Sequence, residues 1–338
     1  MNEMSNPAAD RLRKLVDSAP KVPAPEPGAD HAGEALPPLP LTETEAQIAK
    51  KPIAPARFVV DGLLPVGLAL CSAPPKIGKT WLNCGLARAV ATGDLFAGAR
   101  KVRKGPVLFL DLEGNDRRSQ QRYAAIRTGE ASSDLHIAYS WPPMPEGLEL
   151  LELKIMSLKA ALVIVDVWAL FRSPRPRNAD PYQHDLTSAR AVKEVADRTG
   201  CAIVLTHHNR KQEAADWASE ASGSAGLTGG CDTLLSLSRK RGSADAVMKI
   251  TGRDVEDQEL ALAFKDGRWT ILGGAVEVLM SQTRQTLHSA LAFHGRPMKP
   301  AQLAEETGLS RDLVKKTLQR MLRDGTVKAD TSGAYTAS

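Results

Sequence analysis

The chain has 338 residues, of which 43% are apolar, and this supplies enough buried side chains for a sizeable core and more than one domain. Its formal net charge of +5 permits nucleic acid as a partner without requiring one, since many basic proteins bind none. The four cysteines are widely spaced with no CxxC pair, which argues against a zinc site and against a disulfide framework.

The N-terminal region, residues 1–50, is rich in proline, alanine and acidic residues, and a segment of this composition buries too little to fold by itself. We predict a disordered tail, within which residues 8–16 can form a short amphipathic helix. The N-terminus has no signal-peptide core, and no segment is apolar enough to span a bilayer. We therefore expect a cytoplasmic protein with no membrane partner.

Residues 51–276 alternate strand-like and helix-like patterns, which predicts an α/β domain. Four solid apolar runs predict parallel strands covered on both faces: Leu68–Ser72, Pro106–Leu112, Ala161–Val167 and Ala202–Thr206. Helices are predicted between them over Trp81–Thr92, Asp116–Thr128, Gly147–Lys159 and Asp185–Thr199. Four later strands follow one another and predict an antiparallel C-terminal extension: Thr233–Ser238, Ala246–Thr251, Leu260–Phe264 and Trp269–Leu272.

The first strand leads into a turn with proline and glycine and then into a helix, which is the order of a phosphate-binding loop. Backbone N–H groups of such a loop and the positive end of the helix can surround a polyphosphate. Lys79 would reach the β- and γ-phosphates, and the Thr80 hydroxyl would bind Mg²⁺. The predicted binding residues are Ala73, Pro74, Pro75, Lys76, Ile77, Gly78, Lys79, Thr80 and Trp81.

The loop departs from the usual pattern at its first position, where Ala73 replaces a glycine. Alanine resists the positive φ values that glycine adopts freely. A fortuitous Gly-Lys-Thr at a helix start is the alternative interpretation, which the order of strand, loop and helix disfavours.

Two carboxylates that follow apolar strands are candidates for water activation and metal binding. Glu113 follows the strand at Pro106–Leu112, where it can orient or deprotonate the attacking water, with Asp111 in reserve. Asp166 ends another apolar run, where a charge is costly unless paired, and we expect it to support Mg²⁺ together with Thr80. A turn carboxylate with no catalytic role is the alternative for Glu113.

Polar and basic residues end the later strands. His207 and His208 follow Ala202–Thr206, and a neutral imidazole there can sense the γ-phosphate through a hydrogen bond. Metal binding by the pair is the rival, although adjacent side chains on a strand point to opposite faces. Arg239 and Arg253 lie at turns, from which an arginine can reach the γ-phosphate of a neighbouring subunit. Solvated surface arginines are the alternative.

Two loops after strands can bring positive charge to a nucleic acid backbone and hold it without reading its sequence. One spans residues 172–180 with Arg172, Arg175 and Arg177, and the other spans residues 209–226. Because both loops follow strands that end at the predicted nucleotide site, they could couple hydrolysis to movement of DNA. Solvated loops without DNA contacts are the alternative.

Residues 280–338 predict a small α+β domain of the winged helix-turn-helix type. Helices over Gln282–Phe293, Lys299–Glu306 and Arg311–Arg323 precede a two-stranded hairpin in residues 325–336. The third helix suits duplex DNA because it is basic, whereas a protein-docking role is the alternative. Its basic residues are Arg311, Lys315, Lys316, Arg320 and Arg323.

Together these motifs resemble the RecA-like ATPases of hexameric replicative helicases, most closely the plasmid RepA type, over about residues 54–274. The resemblance implies water activation by Glu113, a γ-phosphate sensor at His208 and an arginine finger at Arg253, with Arg239 one hairpin earlier. It also implies ATP hydrolysis with Mg²⁺, a homo-oligomeric ring of six subunits and single-stranded DNA in the central channel. The matching segments are Val107–Glu113, Arg122, Asp166–Arg172, Thr206–Lys211, Arg239 and Arg253.

The expected fold is therefore a RecA-like P-loop NTPase core, a parallel sheet with an antiparallel C-terminal extension, plus the small winged helix-turn-helix domain. The expected function is that of an ATP-hydrolysing ring-forming motor on DNA, a replicative helicase or translocase of plasmid or phage type. The main alternative is a DNA-binding regulator in which ATP switches the winged helix. A kinase-like phosphate-loop enzyme has less support, since no second substrate site or lid is visible in the sequence.

Overall fold

The computed structural model of the protein describes residues 42–208, 225–239 and 245–338. The chain divides into two units, residues 1–54 and residues 55–338. In the first unit, helix α1 (Glu45–Ile48) begins after Thr44, whose side chain accepts a hydrogen bond from the Gln47 N–H. The predicted disordered tail spans residues 1–50, of which only residues 42–50, with helix α1, are described. The predicted short helix at residues 8–16 lies outside the described residues.

The second unit is built on a sheet of nine strands in the order β11-β10-β9-β8-β3-β7-β6-β4-β5. The strands from β8 to β5 run parallel, and β9 to β11 are antiparallel. A separate pair, β1 and β2, is antiparallel. The bounds are β1 Phe58–Val60, β2 Leu64–Pro65, β3 Gly67–Ala73, β4 Val107–Asp111, β5 Leu135–Ala138, β6 Leu162–Asp166, β7 Ala202–His208, β8 Thr233–Arg239, β9 Asp245–Gly252, β10 Gln258–Lys265 and β11 Arg268–Gly274.

Helices cover both faces of this sheet, as the solid apolar strands require. Along β3, Ala69 and Cys71 join the core on one face while Leu68 and Leu70 join the core on the other, as the two-residue period of a strand dictates. The helices are α2 Lys79–Thr92, α3 Asp116–Ile126, α4 Glu146–Leu158, α5 Trp168–Phe171, α6 Pro181–Thr199 and α7 Ala225–Gly229.

The C-terminal region contains helices α8 (Ala275–His294), α9 (Pro300–Thr307) and α10 (Arg311–Arg323), followed by the hairpin strands β12 (Val327–Ala329) and β13 (Tyr335–Ala337). These helices and strands enclose a core of their own, built around Leu287, Leu291, Leu303, Val314 and Leu318. Helix α8 runs without a break across the predicted boundary between residues 276 and 280. The division into two domains at that point stays a prediction.

Several details of the fold differ from the sequence prediction, which did not include the strands β1 and β2 or the short helices α1, α5 and α7. Strand β8 was expected to belong to the antiparallel extension, but it pairs with β3 in parallel. The segment between β7 and β8 is long and contains α7. Two parallel strands begin at the same end of a sheet, so this segment has to return the chain to the end at which β3 begins. Edge strand β5 was missed because its four residues are only partly buried. Helix α8 begins seven residues before the expected start.

Candidate functional site

The predicted phosphate-binding segment, residues 73–80, runs from the end of β3 to the start of α2 at the carboxyl end of the parallel strands, and we call it the P loop. Ala73 is the buried last residue of β3, so the missing glycine falls on ordinary extended backbone. The positive φ values of the loop belong to Lys76 (65°) and Gly78 (107°) instead. A Cβ on Gly78 would lie 2.9 Å from the ring of Trp269, so only glycine fits there.

The ammonium group of Lys79 points back to the ends of β3 and β7. It donates hydrogen bonds to the carbonyl oxygens of Ala73 at 2.6 Å and His207 at 3.0 Å, and it contacts Nδ1 of His208 at 2.6 Å. Lys79 is 5% exposed, and this burial lowers the pKa of its ammonium to about 8. A buried cation held mainly by neutral acceptors is an attractive site for an anion.

Asp166 supplies a carboxylate that interacts with the Thr80 hydroxyl. It is the last residue of β6 and is buried, and burial raises the pKa of its carboxyl group to about 6. A hydrogen bond from the Thr80 hydroxyl opposes this shift. Oδ2 of Asp166 is buried and has no hydrogen-bond partner among the described residues.

This arrangement fits a magnesium site shared with a bound nucleotide. A buried carboxylate oxygen without a partner is costly, and a hard cation bound through oxygen ligands would satisfy it. Within the described residues, no group of three or more His, Cys, Asp and Glu side chains is placed to hold a metal alone. Mg²⁺ fits such a site because it commonly keeps waters and takes only one or two carboxylates plus phosphate oxygens.

The two acidic residues at the end of β4 have different surroundings. Asp111 is buried and accepts hydrogen bonds from Ser119 Oγ at 3.1 Å and from Arg122 Nη1 at 3.2 Å. Glu113 is exposed, and its charge raises the pKa values of Lys79 and Asp166, which places it within electrostatic reach of both. Of the two, only Glu113 is exposed to solvent.

Burial and nearby positive charge favour the neutral forms of the two histidines at the end of β7. Burial lowers the pKa of His207 to about 4, with Lys79 and Arg172 acting in the same direction. Burial, followed by the Lys79 charge, also lowers the pKa of His208. Neutral His208 can accept a hydrogen bond at Nδ1, and this is the atom that faces Lys79.

The two predicted arginines lie at opposite ends of the strands of the sheet. Arg239 ends β8, on the same side as the P loop, and its guanidinium lies over the rings of Phe264 at 4.9 Å and Trp269 at 5.6 Å. Arg253 follows β9 next to Asp232, at the edge where β3 begins. Its Nη1 donates to Asp232 Oδ1 at 3.1 Å. Arg253 therefore cannot reach the P loop of its own chain.

The structure brings most of the predicted site together and adds two residues that the sequence analysis missed. Lys79, Thr80, Asp166, Glu113 and His208 cluster at the carboxyl ends of β3, β4, β6 and β7, whereas Arg253 does not join them. The additions are Trp269, whose Nε1 donates to the Gly78 carbonyl at 3.1 Å, and Asn83, whose Nδ2 donates to Thr206 Oγ1 at 2.8 Å. No local pattern marks either contact, because each joins distant parts of the chain.

Comparison with known proteins gives one family and several solved structures. A family model described as AAA domain, AAA_25, matches residues 35–214, just over half of the chain. No curated protein matches the chain. In the described residues, no helix has both the length and the apolar character needed to cross a membrane.

Three solved structures are similar to parts of the chain. The ATPase domain of G40P has 17% identity and a TM-score of 0.47, and the match covers 61% of this chain and 85% of that one. A DnaB-like replicative helicase, from a structure that also concerns its interactions with primase, has 16% identity and a TM-score of 0.49, covering 64% and 62%. The RadB recombinase has 15% identity and a TM-score of 0.46, covering 62% and 92%.

Proposed function

Because the chain belongs to the AAA domain family AAA_25, we propose that it is an ATP-hydrolysing RecA-like motor that acts on DNA, a replicative helicase or translocase of plasmid or phage type. The observation that carries the ATPase part is the cluster of Lys79, Thr80, Asp166, Glu113 and His208 at the end of the parallel strands. This cluster places the buried cation of Lys79, the buried Oδ2 of Asp166 and the exposed carboxylate of Glu113 beside the P loop.

The proposed chemistry is phosphoryl transfer to water, which depends on positioning and on charge stabilisation. Lys79 would leave its carbonyl acceptors and donate to the β- and γ-phosphate oxygens. Glu113 would orient the attacking water and take its proton, and His208 would report the γ-phosphate. Thr80 and Asp166 would hold Mg²⁺, which would neutralise phosphate charge when bound.

Exposed positive charge beside the site supports DNA as the partner. In the loop after α5, Arg172 donates to Asp185 at 3.2 Å and is tied to α6, whereas Arg175 and Arg177 are exposed. Cations at these positions can bind a phosphate backbone without reading bases. The second predicted DNA loop, residues 209–226, lies almost wholly outside the described residues.

A ring of six copies with single-stranded DNA in its channel completes the proposal. Arg253 lies at the sheet edge away from its own P loop, so it would have to serve a neighbour. Arg239 sits on the aromatic rings near its own P loop, which favours Arg253 over Arg239 as the finger.

A DNA-binding regulator is the second candidate, and one observation favours it. Helix α10 buries Val314, Thr317, Leu318 and Met321 against the C-terminal core and leaves its basic residues on the opposite, exposed face. A winged helix-turn-helix domain over residues 280–338, which we propose here, would present that face to duplex DNA. The exposed basic residues are Arg311, Lys315, Lys316, Arg320 and Arg323.

Steady-state ATP hydrolysis with and without DNA separates the two candidates. A motor should be stimulated strongly by single-stranded DNA of any sequence, whereas a regulator should respond only to a defined duplex. Light scattering in the same buffer measures whether the copies assemble. Absence of hydrolysis under all these conditions would contradict both candidates.

Replacement of the P-loop lysine tests the ATPase assignment directly. We expect Lys79→Ala to lower turnover by about 10²–10³-fold, because it removes the cation that stabilises the transferring phosphoryl group. The fold should persist, since the lost ammonium is a buried charge without a carboxylate hydrogen-bond partner in the described residues. Lys154→Ala, on the exposed face of α4, is the matched control and should leave turnover unchanged. Retained turnover in Lys79→Ala would remove the assignment.

A further inference from the structure

A cleft lies at the amino ends of three inner strands of the sheet, β4, β6 and β7. Its volume is about 750 Å³. Its walls come from the segment before β4, from the end of α4 with the segment that leads to β6, and from the end of α6. We call it the amino-end cleft. Its charged lining residues are Arg103, Lys104, Glu152, Lys159 and Arg198.

Three of the four cations in this cleft have no anionic partner within the described residues. Arg103, Lys104 and Lys159 are exposed, and their side chains form no ion pair with any residue that the structure describes. Arg198 differs, because it donates to both carboxylate oxygens of Glu152 at 2.9 and 2.8 Å. The lining therefore has one satisfied ion pair and three cations that can bind an external anion.

The cleft keeps a positive surplus when the helix ends are considered. Helices α4 and α6 both end at it, and the C-terminus of a helix is equivalent to about half a negative charge. The lining carries four positive charges and one negative charge. A surplus of about two positive charges therefore remains. At the rim, Arg57 beside Gly200 and Glu194 beside Arg198 add opposite charges.

Lys159 stands where glycine is the usual residue. It caps α4 in the left-handed region with a φ of 52°, and its N–H donates to the carbonyl oxygens of Ile155 and Met156. Helix α6 ends in the same conformation with Gly200 at a φ of 65°. Glycine adopts this conformation without the steric cost that a side chain brings. The lysine is thus less favourable for the backbone, whereas its side chain adds a cation to the cleft.

The cleft offers charge but no strand edge. Because β4, β6 and β7 are each paired on both sides, an extended peptide cannot add to them through main-chain hydrogen bonds. The cleft instead combines its cations with exposed apolar surface, since Met156 in its wall is 63% exposed. Cations bind a phosphate backbone without reading bases, and apolar surface can contact the bases or sugars. These features fit single-stranded nucleic acid better than an acidic peptide.

We propose that the amino-end cleft binds the phosphate backbone of single-stranded DNA, at a site separate from the loop at residues 172–180. The proposal rests on the proposed function, since DNA as a partner belongs to that function. Strand β6 runs from the cleft to Asp166, and its five residues span about 16 Å. DNA in the cleft would therefore lie at the opposite end of the sheet from Lys79 and would leave the nucleotide site clear.

Binding of labelled oligothymidylate to the full chain, followed by fluorescence anisotropy over a series of salt concentrations, tests the proposal. Each phosphate contact with a single strand contributes about 0.7 to the slope of log K against log salt. We expect Arg103→Gln/Lys104→Gln to reduce this slope by about 1.4 and to weaken binding by about tenfold at physiological salt. The matched control is Lys154→Gln/Arg190→Gln, which removes the same charge from exposed positions of α4 and α6 outside the cleft. It should keep the wild-type slope.

Four results would contradict the proposal, and they have different meanings. An unchanged slope in the cleft variant is the result expected if the cleft takes an acidic protein segment instead. Equal losses in the cleft variant and its control would show a general effect of charge. If Arg175→Gln/Arg177→Gln loses binding while the cleft variant binds as the wild type does, this inference fails and the proposed function stands. If the wild-type chain binds no single-stranded DNA, both proposals fail.

Lys159→Gly separates the cation from the fold. Since glycine suits the backbone at this position, the unfolding temperature should stay at the wild-type value or rise above it. The slope of log K against log salt should nevertheless fall by about 0.7. Lys154→Ala on the same helix is the control and should keep the wild-type slope. A wild-type slope in folded Lys159→Gly would overturn the role of Lys159 in the cleft.

Discussion

At the scale of single residues, the two carboxylates at the end of β4 differ in their partners and in their exposure. Asp111 is buried, and its Oδ2 accepts hydrogen bonds from Ser119 and Arg122. Glu113 is exposed beside Lys79 and Asp166. The carboxylate that already has a cationic partner stabilises the fold, and the carboxylate without one is available to water.

We expect Glu113→Gln to lower ATP turnover by about 10²–10⁴-fold while ATP binding persists, because the amide cannot accept a proton from water. Asp111→Asn should lower the unfolding temperature instead, since it weakens the ion pair with Arg122. Turnover and nucleotide affinity of both variants give the test. Loss of turnover in Asp111→Asn as complete as in Glu113→Gln would reverse the two roles.

We expect His207 to make the stability of the protein depend on pH. Its pKa in the folded chain is about 4, against an ordinary value of 6.5, because burial and the charge of Lys79 disfavour the imidazolium. The unfolded chain therefore binds the proton first as the pH falls. The contribution of neutral His207 to the free energy of unfolding should be complete above pH 6.5 and should be lost between pH 6.5 and 4.

The difference between the wild type and His207→Gln isolates this effect. The raised pKa of Asp166, about 6, acts with the opposite sign in the same range, but it is common to both proteins. Urea unfolding at pH 7 and pH 4 should show that the wild type loses up to about 3 kcal/mol more than the variant. Equal losses in both proteins would show that His207 is not held neutral by the fold.

At the scale of secondary structure elements, Asp232 joins three parts of the second unit. Its carboxylate accepts hydrogen bonds from the Leu68 N–H at 3.1 Å, from Lys193 at 2.7 Å and from Arg253 at 3.1 Å. These residues belong to the P-loop strand β3, to helix α6 and to the turn after β9. Asp232 is 9% exposed, so its contact with the Leu68 N–H is buried, whereas its ion pairs with Lys193 and Arg253 are partly open to water because those side chains are 25% and 60% exposed.

We expect Asp232→Ala to lower the free energy of unfolding by about 1–3 kcal/mol, because it leaves the buried Leu68 N–H without its acceptor and removes two partly exposed ion pairs. Asp197→Ala is the matched control, since Asp197 binds the same Lys193 at 3.2 Å but is 54% exposed. An exposed pair of this kind should cost only about 0.5 kcal/mol. Similar losses in urea unfolding for the two variants would show that Asp232 does not organise this edge of the sheet.

At the scale of the whole molecule, the separation of Arg253 from its own P loop has a consequence for assembly. The side chain of Arg253 is 60% exposed and lies at the sheet edge opposite Lys79. In a closed ring, each subunit would complete the site of the next by the same contact. An arginine finger used in this way acts only between copies.

Mixing two inactive variants tests this arrangement. Lys79→Ala should lack phosphate binding, and Arg253→Ala should lack the finger, so each protein alone should hydrolyse little ATP. In a mixture, some interfaces pair an intact P loop with an intact arginine, and measurable turnover should return. Lys79→Ala mixed with Glu113→Gln is the control, since both lesions lie in the same site. No recovery in the first mixture, with both proteins assembled, would show that Arg253 is not a finger between subunits.

Much of the fold and of the site could be predicted from local patterns. The apolar runs of β3, β4, β6 and β7 and the Gly-Lys-Thr at the start of α2 are contiguous in sequence, and carboxyl ends of parallel strands meet at one edge. The expected position of Glu113, Asp166 and His208 beside Lys79 followed from that geometry. The roles of these residues, the ring and the DNA partner stay predictions.

The sequence by itself determined the central parallel strands, the longer helices and the position of the Gly-Lys-Thr segment between β3 and α2, because periodicity and turn residues act over a few positions. Only the tertiary structure decided that β8 runs parallel to β3, that Arg122 neutralises Asp111 and that Trp269 closes on Gly78. Asp111 and Arg122 are 11 positions apart, and Gly78 and Trp269 are 191 positions apart. The parallel direction of β8 is set by its long-range pairing with β3. The pairing of β8 with β3 and the contact of Trp269 with Gly78 depend on the order of strands in the sheet, which no local pattern specifies.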